Sequence, residues 1–220
     1  MSAVTYARFS PRRGGWRVES WWAKALLRAV EESAYDEGQL DGGRALARSG
    51  RIGGLIVEPG RVTSSVDEER GLWTTRISLP VLDEQALRAL VEVLDSSPNR
   101  VDALLGGELP HDLVEYADEL GAELLPYGEE LSSVCTCDHW HDVCVHAVGV
   151  LHQVAWLADR DPLVLFHLRG LPREVLVAAV RHPEPEPPEP ADHPAHAEID
   201  EVEVALDAAL RAQRLLDDAE

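Results

Sequence analysis

Apolar residues recur at helical spacing near the start of the chain. Between Trp21 and Glu32, the side chains of Trp22, Leu26 and Val30 fall on one face, which predicts an amphipathic helix. A second, shorter helix is predicted over Leu40–Arg48. The pattern therefore starts with two helices in succession.

The period of the pattern then changes to two. Glycines and a Pro-Gly pair punctuate this region, and three short segments rich in β-branched residues predict strands: Leu55–Val57, Val62–Val66 and Trp73–Leu79. In the last segment apolar and polar positions alternate, as in an antiparallel strand with one buried face. A small antiparallel sheet is expected.

Helical spacing returns after Pro80. Asp83 is a suitable N-cap for a helix with Ala86, Leu87, Leu90, Val91 and Leu94 on its inner face. Further helical segments are predicted over Asn99–Leu105, Pro110–Leu120 and Val143–Leu157, with two short ones opening at Asp161 and Leu171.

Charge is distributed unevenly along the chain, whose net charge is -20 with 45% apolar residues. Residues 1–30 carry about +5, whereas residues 181–220 carry about -9. One interpretation of this charge is an acidic surface that keeps the protein soluble. The alternative is an acidic tail that docks on a basic partner or mimics nucleic acid. Six prolines within residues 182–197 predict an extended linker. Ile199, Val202, Leu206 and Leu210 then form the apolar stripe of an acidic helix over 198–220.

The chemistry of the chain is concentrated in one short window. The only three cysteines are Cys135, Cys137 and Cys144, and with His146 they read C-x-C-x6-C-x-H. Three sulfurs and one imidazole form a Cys3His set, which is typical of a closed structural zinc site with one ion. His139 and His141 lie between the two pairs and are candidates to assist or to replace His146.

At these four residues the chain resembles the SWIM-type zinc finger, whose pattern is C-x-C, a variable gap and C-x-H. The resemblance implies a β-hairpin followed by a helix that carries the last ligands. The flanks, from Phe9 to Val180, are similar to bacterial proteins that carry one such finger in mid-chain. Fingers of this family are associated with protein or DNA binding, and the similar bacterial proteins are linked with Swi/Snf-type helicases.

Signatures of catalysis are missing from the sequence. It contains no phosphate-binding P-loop, no G-x-S-x-G and no H-E-x-x-H. We therefore expect a non-catalytic, zinc-stabilised interaction module with no small-molecule substrate. The resemblance implies that it is an accessory to a Swi/Snf-type helicase, acting through protein–protein contacts. A metal-dependent hydrolase is the weakest alternative, because it needs an open coordination position.

Direct DNA binding is the other alternative. The window from Glu129 to His146 contains four acidic residues and no Lys or Arg, so the finger itself lacks the basic surface that nucleic acid requires. Five arginines elsewhere are candidate contacts to DNA or a partner: Arg12, Arg13, Arg17, Arg44 and Arg48. On balance a protein partner is favoured over DNA.

The predicted fold class is α+β: a helical domain with a small antiparallel sheet and an inserted ββα zinc finger, then a disordered linker and an acidic C-terminal helix. The predicted divisions are an α+β region over 1–126, the finger over 127–160, a helical extension over 161–181, the linker over 182–197 and the helix over 198–220. The start lacks an apolar signal segment and no apolar run reaches about 18 residues, so no membrane partner is expected. The number of cysteines is odd and they are clustered, which argues against a set of disulfides and indicates a reducing compartment, the cytoplasm.

Overall fold

A computed structural model describes residues 3–14 and 17–181 of the chain. Within them the fold is α+β, with eight helices and a five-stranded antiparallel sheet. The strands are β1 (Val4–Tyr6), β2 (Leu55–Glu58), β3 (Arg61–Glu68), β4 (Gly71–Ser78) and β5 (Ser132–Cys135). The helices are α1 (Trp21–Ser33), α2 (Glu37–Ser49), α3 (Glu84–Asp95), α4 (Pro98–Leu105), α5 (His111–Glu119), α6 (Val145–Ala158), α7 (Leu163–Leu168) and α8 (Arg173–Arg181). The predicted linker and acidic helix lie outside the described residues.

The sheet follows chain order, β1-β2-β3-β4-β5, and every neighbouring pair is antiparallel. The alternation predicted for β4 is confirmed: Thr75 and Ile77 are buried, whereas Thr74 and Arg76 are exposed. Strand β1 was not predicted from the sequence, because three residues are too few to establish a period.

The predicted hairpin of the finger differs from the structure. Within the described residues the finger segment has one strand, β5, and it pairs with β4, with Thr75 opposite Cys135. A remnant of a hairpin remains, because the Ser133 N–H donates to the Asp142 carbonyl at 2.8 Å. The segment predicted to form the finger therefore extends the main sheet instead of forming a sheet of its own.

Helix α6 lies at the centre of the core. Nearly all of its residues are buried, whereas α1 and α2 each bury one face, consistent with the amphipathic pattern of their sequences. The indole of Trp22 donates to the Ala158 carbonyl at 2.7 Å, and the Gln153 amide donates to the Ala47 carbonyl at 2.9 Å. These bonds fasten α1 and α2 to α6.

Two glycines permit the close contact between α2 and α6. A β-carbon added at Gly43 would lie 2.3 Å from Val148 Cγ1, and one added at Gly149 would lie 3.2 Å from the Gly43 carbonyl oxygen. The helices run in the same direction, since Gln39 bonds the Val143 carbonyl near one end and Ala47 meets Gln153 farther along. Consequently α2 lies beside α6 from the start of the finger helix onward.

A buried ion pair joins the finger segment to the end of α7. Both guanidinium NH2 nitrogens of Arg169 bond the Glu130 carboxylate, at 3.0 and 3.1 Å, and the side chain of Arg169 is 3% exposed. The same guanidinium donates to the carbonyls of Pro80 and Leu124. Arg169 thus fixes the entry to β5 against three other segments.

No helix in the described part of the chain is both long and apolar enough to cross a membrane.

Candidate metal centre

The first two candidate ligands lie where β5 leaves the sheet. Cys135 is the last residue of the strand, and Cys137 follows two residues later. Because side chains of an extended segment alternate between faces, this spacing directs both sulfurs to the same side. Thr136 holds the segment against β4: its N–H donates to the Thr74 carbonyl at 3.0 Å, and its hydroxyl accepts from the Thr74 N–H at 2.9 Å.

The second pair lies at the start of α6. Cys144 is the N-cap residue, and its sulfur accepts a weak hydrogen bond of 3.5 Å from the Ala147 N–H. His146 is in the first turn of the helix, so the cap places a sulfur and an imidazole next to each other. The strand end and the helix start thereby supply two candidate ligands each.

These four residues form a compact cluster. One sulfur each from Cys135, Cys137 and Cys144 and one ring nitrogen from His146 all lie within 4.8 Å of one another. Zinc bound tetrahedrally at about 2.3 Å from sulfur requires ligand atoms about 3.8 Å apart, so a small contraction would suffice to bind it. The cluster could therefore hold a metal ion, and its donor set is consistent with zinc.

The orientation of His146 suits a ligand. Its Nδ1 lies 3.5 Å from Cys135 Sγ, while its Nε2 lies 3.3 Å from a carboxylate oxygen of Glu68 at the end of β3. The buried ring also stacks against Trp73, with centroids 6.0 Å apart. A carboxylate on the outer nitrogen is the usual partner of a metal-binding histidine, because it fixes the ring's orientation and tautomer.

The electrostatics of the sulfurs also favour a cation. Burial, then a hydrogen bond with Cys135 and the charges of the other two sulfurs, raises the pKa of the Cys137 thiol far above its ordinary value. Burial is also the main cause that raises the pKa of Cys144. Three sulfurs this close resist joint ionisation unless a cation offsets their charge, and thiolates are the form in which cysteine binds metal.

The two spare histidines have different environments. The Nδ1 of His139 lies 3.4 Å from Cys137 Sγ and 3.2 Å from the Cys137 carbonyl oxygen, at the border of the cluster. His141 instead packs among aromatic rings, 3.7 Å from Trp140 and 4.2 Å from Tyr35 between centroids. Neither belongs to the four-residue cluster, and His139 is the better placed of the two to assist it.

Sequence reasoning missed Glu68. It is 67 residues from Cys135, the nearest cysteine in sequence, and no short motif connects them. The strand order brings it close, because β3 pairs with β4 and β4 pairs with the strand that ends in Cys135. Only the register of the sheet would have revealed this partner.

The five candidate arginines divide into two groups. Arg12 lies with its guanidinium 5.8 Å from the centre of the Trp156 ring, and Arg13 is exposed. Arg17 joins Arg44 and Arg48, which are one turn apart on α2, in lining one cavity on the side of α2 and α6. Arg44 also pairs with Glu31 at 2.8 Å and Asp41 at 3.2 Å.

Comparison with known proteins gives one relative and no family. The uncharacterized protein Rv2102 of Mycobacterium tuberculosis is 29% identical over 163 residues, which cover 73% of this chain and 58% of that protein. The chain thus matches less than two thirds of the relative's length. No family model matches the sequence. No solved structure matches it either.

Proposed function

We propose that this protein is a non-catalytic interaction module that a single zinc ion stabilises. The observation that carries the proposal is the cluster of three sulfurs and one imidazole within 4.8 Å, formed between the end of β5 and the start of α6. The resemblance of these four residues to the SWIM-type finger supports it. The soft donors favour zinc over Mg²⁺ or Ca²⁺, which prefer oxygen ligands.

A structural role follows from the number of ligands. Four protein donors complete a tetrahedron, whereas catalytic zinc keeps one position for water or substrate. The carboxylate nearest the cluster, that of Glu68, lies against His146 and serves to orient it. A hydrolase would need one of the four donors to leave, and nothing in the arrangement favours that.

Exposed aromatic side chains beside the cluster supply a surface for a protein partner. Trp140 is 77% exposed and Tyr35 is 63% exposed, and their rings meet edge to face with centroids 5.1 Å apart. Large aromatic side chains are frequent energetic anchors of protein interfaces. The ion would fix the loop that carries Trp140, because that loop lies between Cys137 and Cys144. The bacterial proteins that this chain resembles make a Swi/Snf-type helicase our proposed partner.

Direct DNA binding remains a second candidate. The presence of Arg17 beside Arg44 and Arg48 in one cavity favours it, because the fold brings Arg17 to two arginines that lie one turn apart on α2. The acidic residues of the finger oppose it, as does the pairing of Arg44 with two carboxylates. Binding to a protein partner is therefore the favoured hypothesis.

The first experiment measures zinc by mass spectrometry on full-length protein purified without a histidine tag. About one zinc per chain is expected, lost in Cys135→Ser and His146→Ala and retained in the matched control His139→Ala. No zinc in well-folded wild-type protein would overturn the proposal. Loss of zinc in His139→Ala with retention in His146→Ala would assign the fourth ligand to His139.

The second experiment separates the two partner classes. The zinc-loaded protein is used to capture a purified Swi/Snf-type helicase, with Trp140→Ala as the test variant and Tyr116→Ala, an exposed aromatic on α5, as the control. Capture that only Trp140→Ala abolishes supports the adaptor function. Failure to capture, together with duplex binding that weakens steeply with salt and with Arg17→Gln, would favour DNA.

A further inference from the structure

A cavity of about 380 Å³ lies between α1, α2, α6 and the segment that precedes α1, apart from the candidate metal centre. Four cationic side chains line it, Arg17, Lys24, Arg44 and Arg48, together with one carboxylate. The chain as a whole has a net charge of -20, so this cluster of positive charge is opposite in sign to the rest of the protein. Like charges gathered at one place repel, so an anion between them would be stabilising.

The cations of this basic cavity are unequally neutralised. Glu31 is the one carboxylate in the lining, and it pairs with Arg44 at 2.8 Å. Lys24 donates to the Glu19 carbonyl at 2.7 Å, a bond that leaves its charge uncompensated. Across residues 3–14 and 17–181, no carboxylate lies within ion-pair distance of Arg48. Arg48 is thus better placed than the paired Arg44 to receive an anion, and it is less exposed than Arg17.

The wall of the cavity also contains a buried histidine with unused hydrogen-bonding capacity. His152 on α6 is 6% exposed, and its Nε2 has no hydrogen-bond partner in the described part of the chain. Buried polar atoms are almost always paired, and an unpaired one destabilises the fold. If the ring turned its Nε2 toward the cavity, a bound ligand could accept a hydrogen bond from it and remove that destabilisation.

The size and the lining of the cavity identify the ligand class. A volume of about 380 Å³ falls within the range of small-molecule sites, about 300–1,000 Å³. Phosphate has several acceptor oxygens and matches the fork of a guanidinium, so it can use donors from several sides at once. Leu27 and Trp156 add an apolar part to the wall, against which an organic group can pack.

We propose that this basic cavity binds the phosphate group of a small organic phosphate of mononucleotide size, with Arg48 and Arg17 as its main charged contacts and His152 as a hydrogen-bond donor. The site is independent of the metal centre, which lies at the other end of α6. The proposal therefore goes beyond the interaction function and can fail or succeed separately from it.

The test is calorimetric titration of the full-length, zinc-loaded protein with inorganic phosphate, adenosine 5′-monophosphate and adenosine. Adenosine 5′-monophosphate and phosphate are expected to bind and adenosine to fail. Tighter binding of the nucleotide than of phosphate would assign a role to the apolar wall, and equal binding would identify free phosphate as a sufficient ligand.

Variants locate the site. Arg48→Gln is expected to weaken binding by about ten- to a hundredfold, while Arg88→Gln, an exposed arginine on α3, keeps wild-type affinity. Thermal unfolding midpoints close to that of wild type in both variants show that the fold is intact. Saturation with phosphate should also raise the pKa of His152 in an NMR titration, an effect that a merely structural histidine would not show.

Two results would overturn the proposal. One is the absence of heat with both phosphate compounds at millimolar concentration, and the other is equal loss of affinity in Arg48→Gln and Arg88→Gln. Binding of duplex DNA without binding of either small phosphate would likewise reject it and would assign these arginines to a nucleic-acid surface.

Discussion

Glu68 and His146 are joined across the sheet, with a carboxylate oxygen 3.3 Å from the outer ring nitrogen of the histidine. The inner nitrogen of the same ring faces the sulfur of Cys135 at 3.5 Å. The order carboxylate, imidazole, metal position is thus already present in the protein. A residue at the end of β3 thereby orients a candidate metal ligand on α6.

Replacing Glu68 with Gln should weaken zinc binding by about ten- to a hundredfold, because an amide orients the ring but supplies no negative charge. The measurement is competition with a chromophoric chelator at fixed pH. Glu69→Gln is the matched control, since Glu69 is exposed and adjacent in sequence. Equal affinity in both variants would contradict a role for Glu68 in supporting the metal.

The burial of His152 should make the stability of the fold depend on pH. Burial, and then the charges of Arg44 and Arg48, lowers the pKa of His152 from 6.5 to about 4. Between pH 6.5 and pH 4 this histidine is protonated in the unfolded chain but neutral in the folded protein. The free energy of unfolding therefore falls as pH drops from about 6.5 to about 4. The total loss is about 3 kcal/mol.

The check on this dependence is urea denaturation between pH 4 and pH 7.5 at saturating zinc. His152→Gln should show a shallower decline than wild type, because the pH dependence of the metal site is common to both proteins. Lys24, Glu31 and Arg17 line the same cavity as His152, and they remain in both proteins. Parallel curves for the two proteins would count against the assigned pKa.

Gly43→Ala should destabilise the protein by more than about 2 kcal/mol. The new methyl group would lie 2.3 Å from Val148 Cγ1 and 2.7 Å from its Cβ, so α2 and α6 would have to separate. Gly38→Ala, an exposed position in the first turn of α2, is the control, and there the gain in helix propensity offsets a milder contact. Thermal unfolding of both variants decides the point, and similar melting temperatures would refute tight packing here.

Arg169→Leu should lower the free energy of unfolding by about 3–5 kcal/mol, because it leaves the partly buried carboxylate of Glu130 and two carbonyl groups without their partner. Arg88→Leu breaks an exposed pair with Glu84 on α3 and should cost less than about 1 kcal/mol. The free energies of unfolding in urea give the comparison. A small cost at Arg169 would mean that the pair contributes geometry without stability.

Local pattern was sufficient for much of the fold. The spacing of Trp22, Leu26 and Val30 predicted α1, and alternation in β4 predicted which of its residues are buried. The cysteine spacing also predicted four residues that the structure brings together. In each case the signal lies within one turn, one strand or one loop, where a chain's own geometry determines which side chains meet.

Long-range pairing was beyond the reach of these patterns. The joining of β5 to β4 and the approach of Glu68 to His146 depend on the order of strands, which no local period encodes. Arg17 and Arg48 come together for the same reason, through the packing of helices around α6. The fully buried environment of α6 was equally hidden, since His152 and Gln153 interrupt its apolar run.

The pairing of β5 with β4 has a consequence for solubility. Cys135 closes the outermost strand, so an ion bound there would clamp that strand in place beside Thr75. If the ion were lost and β5 detached, β4 would become the edge strand and expose unpaired backbone N–H and C=O groups, with the exposed Leu72 nearby. Such margins recruit strands from other molecules and lead to aggregation. A metal ion bound at the cluster would therefore protect the sheet from self-association as well as hold the loop between Cys137 and Cys144 in place.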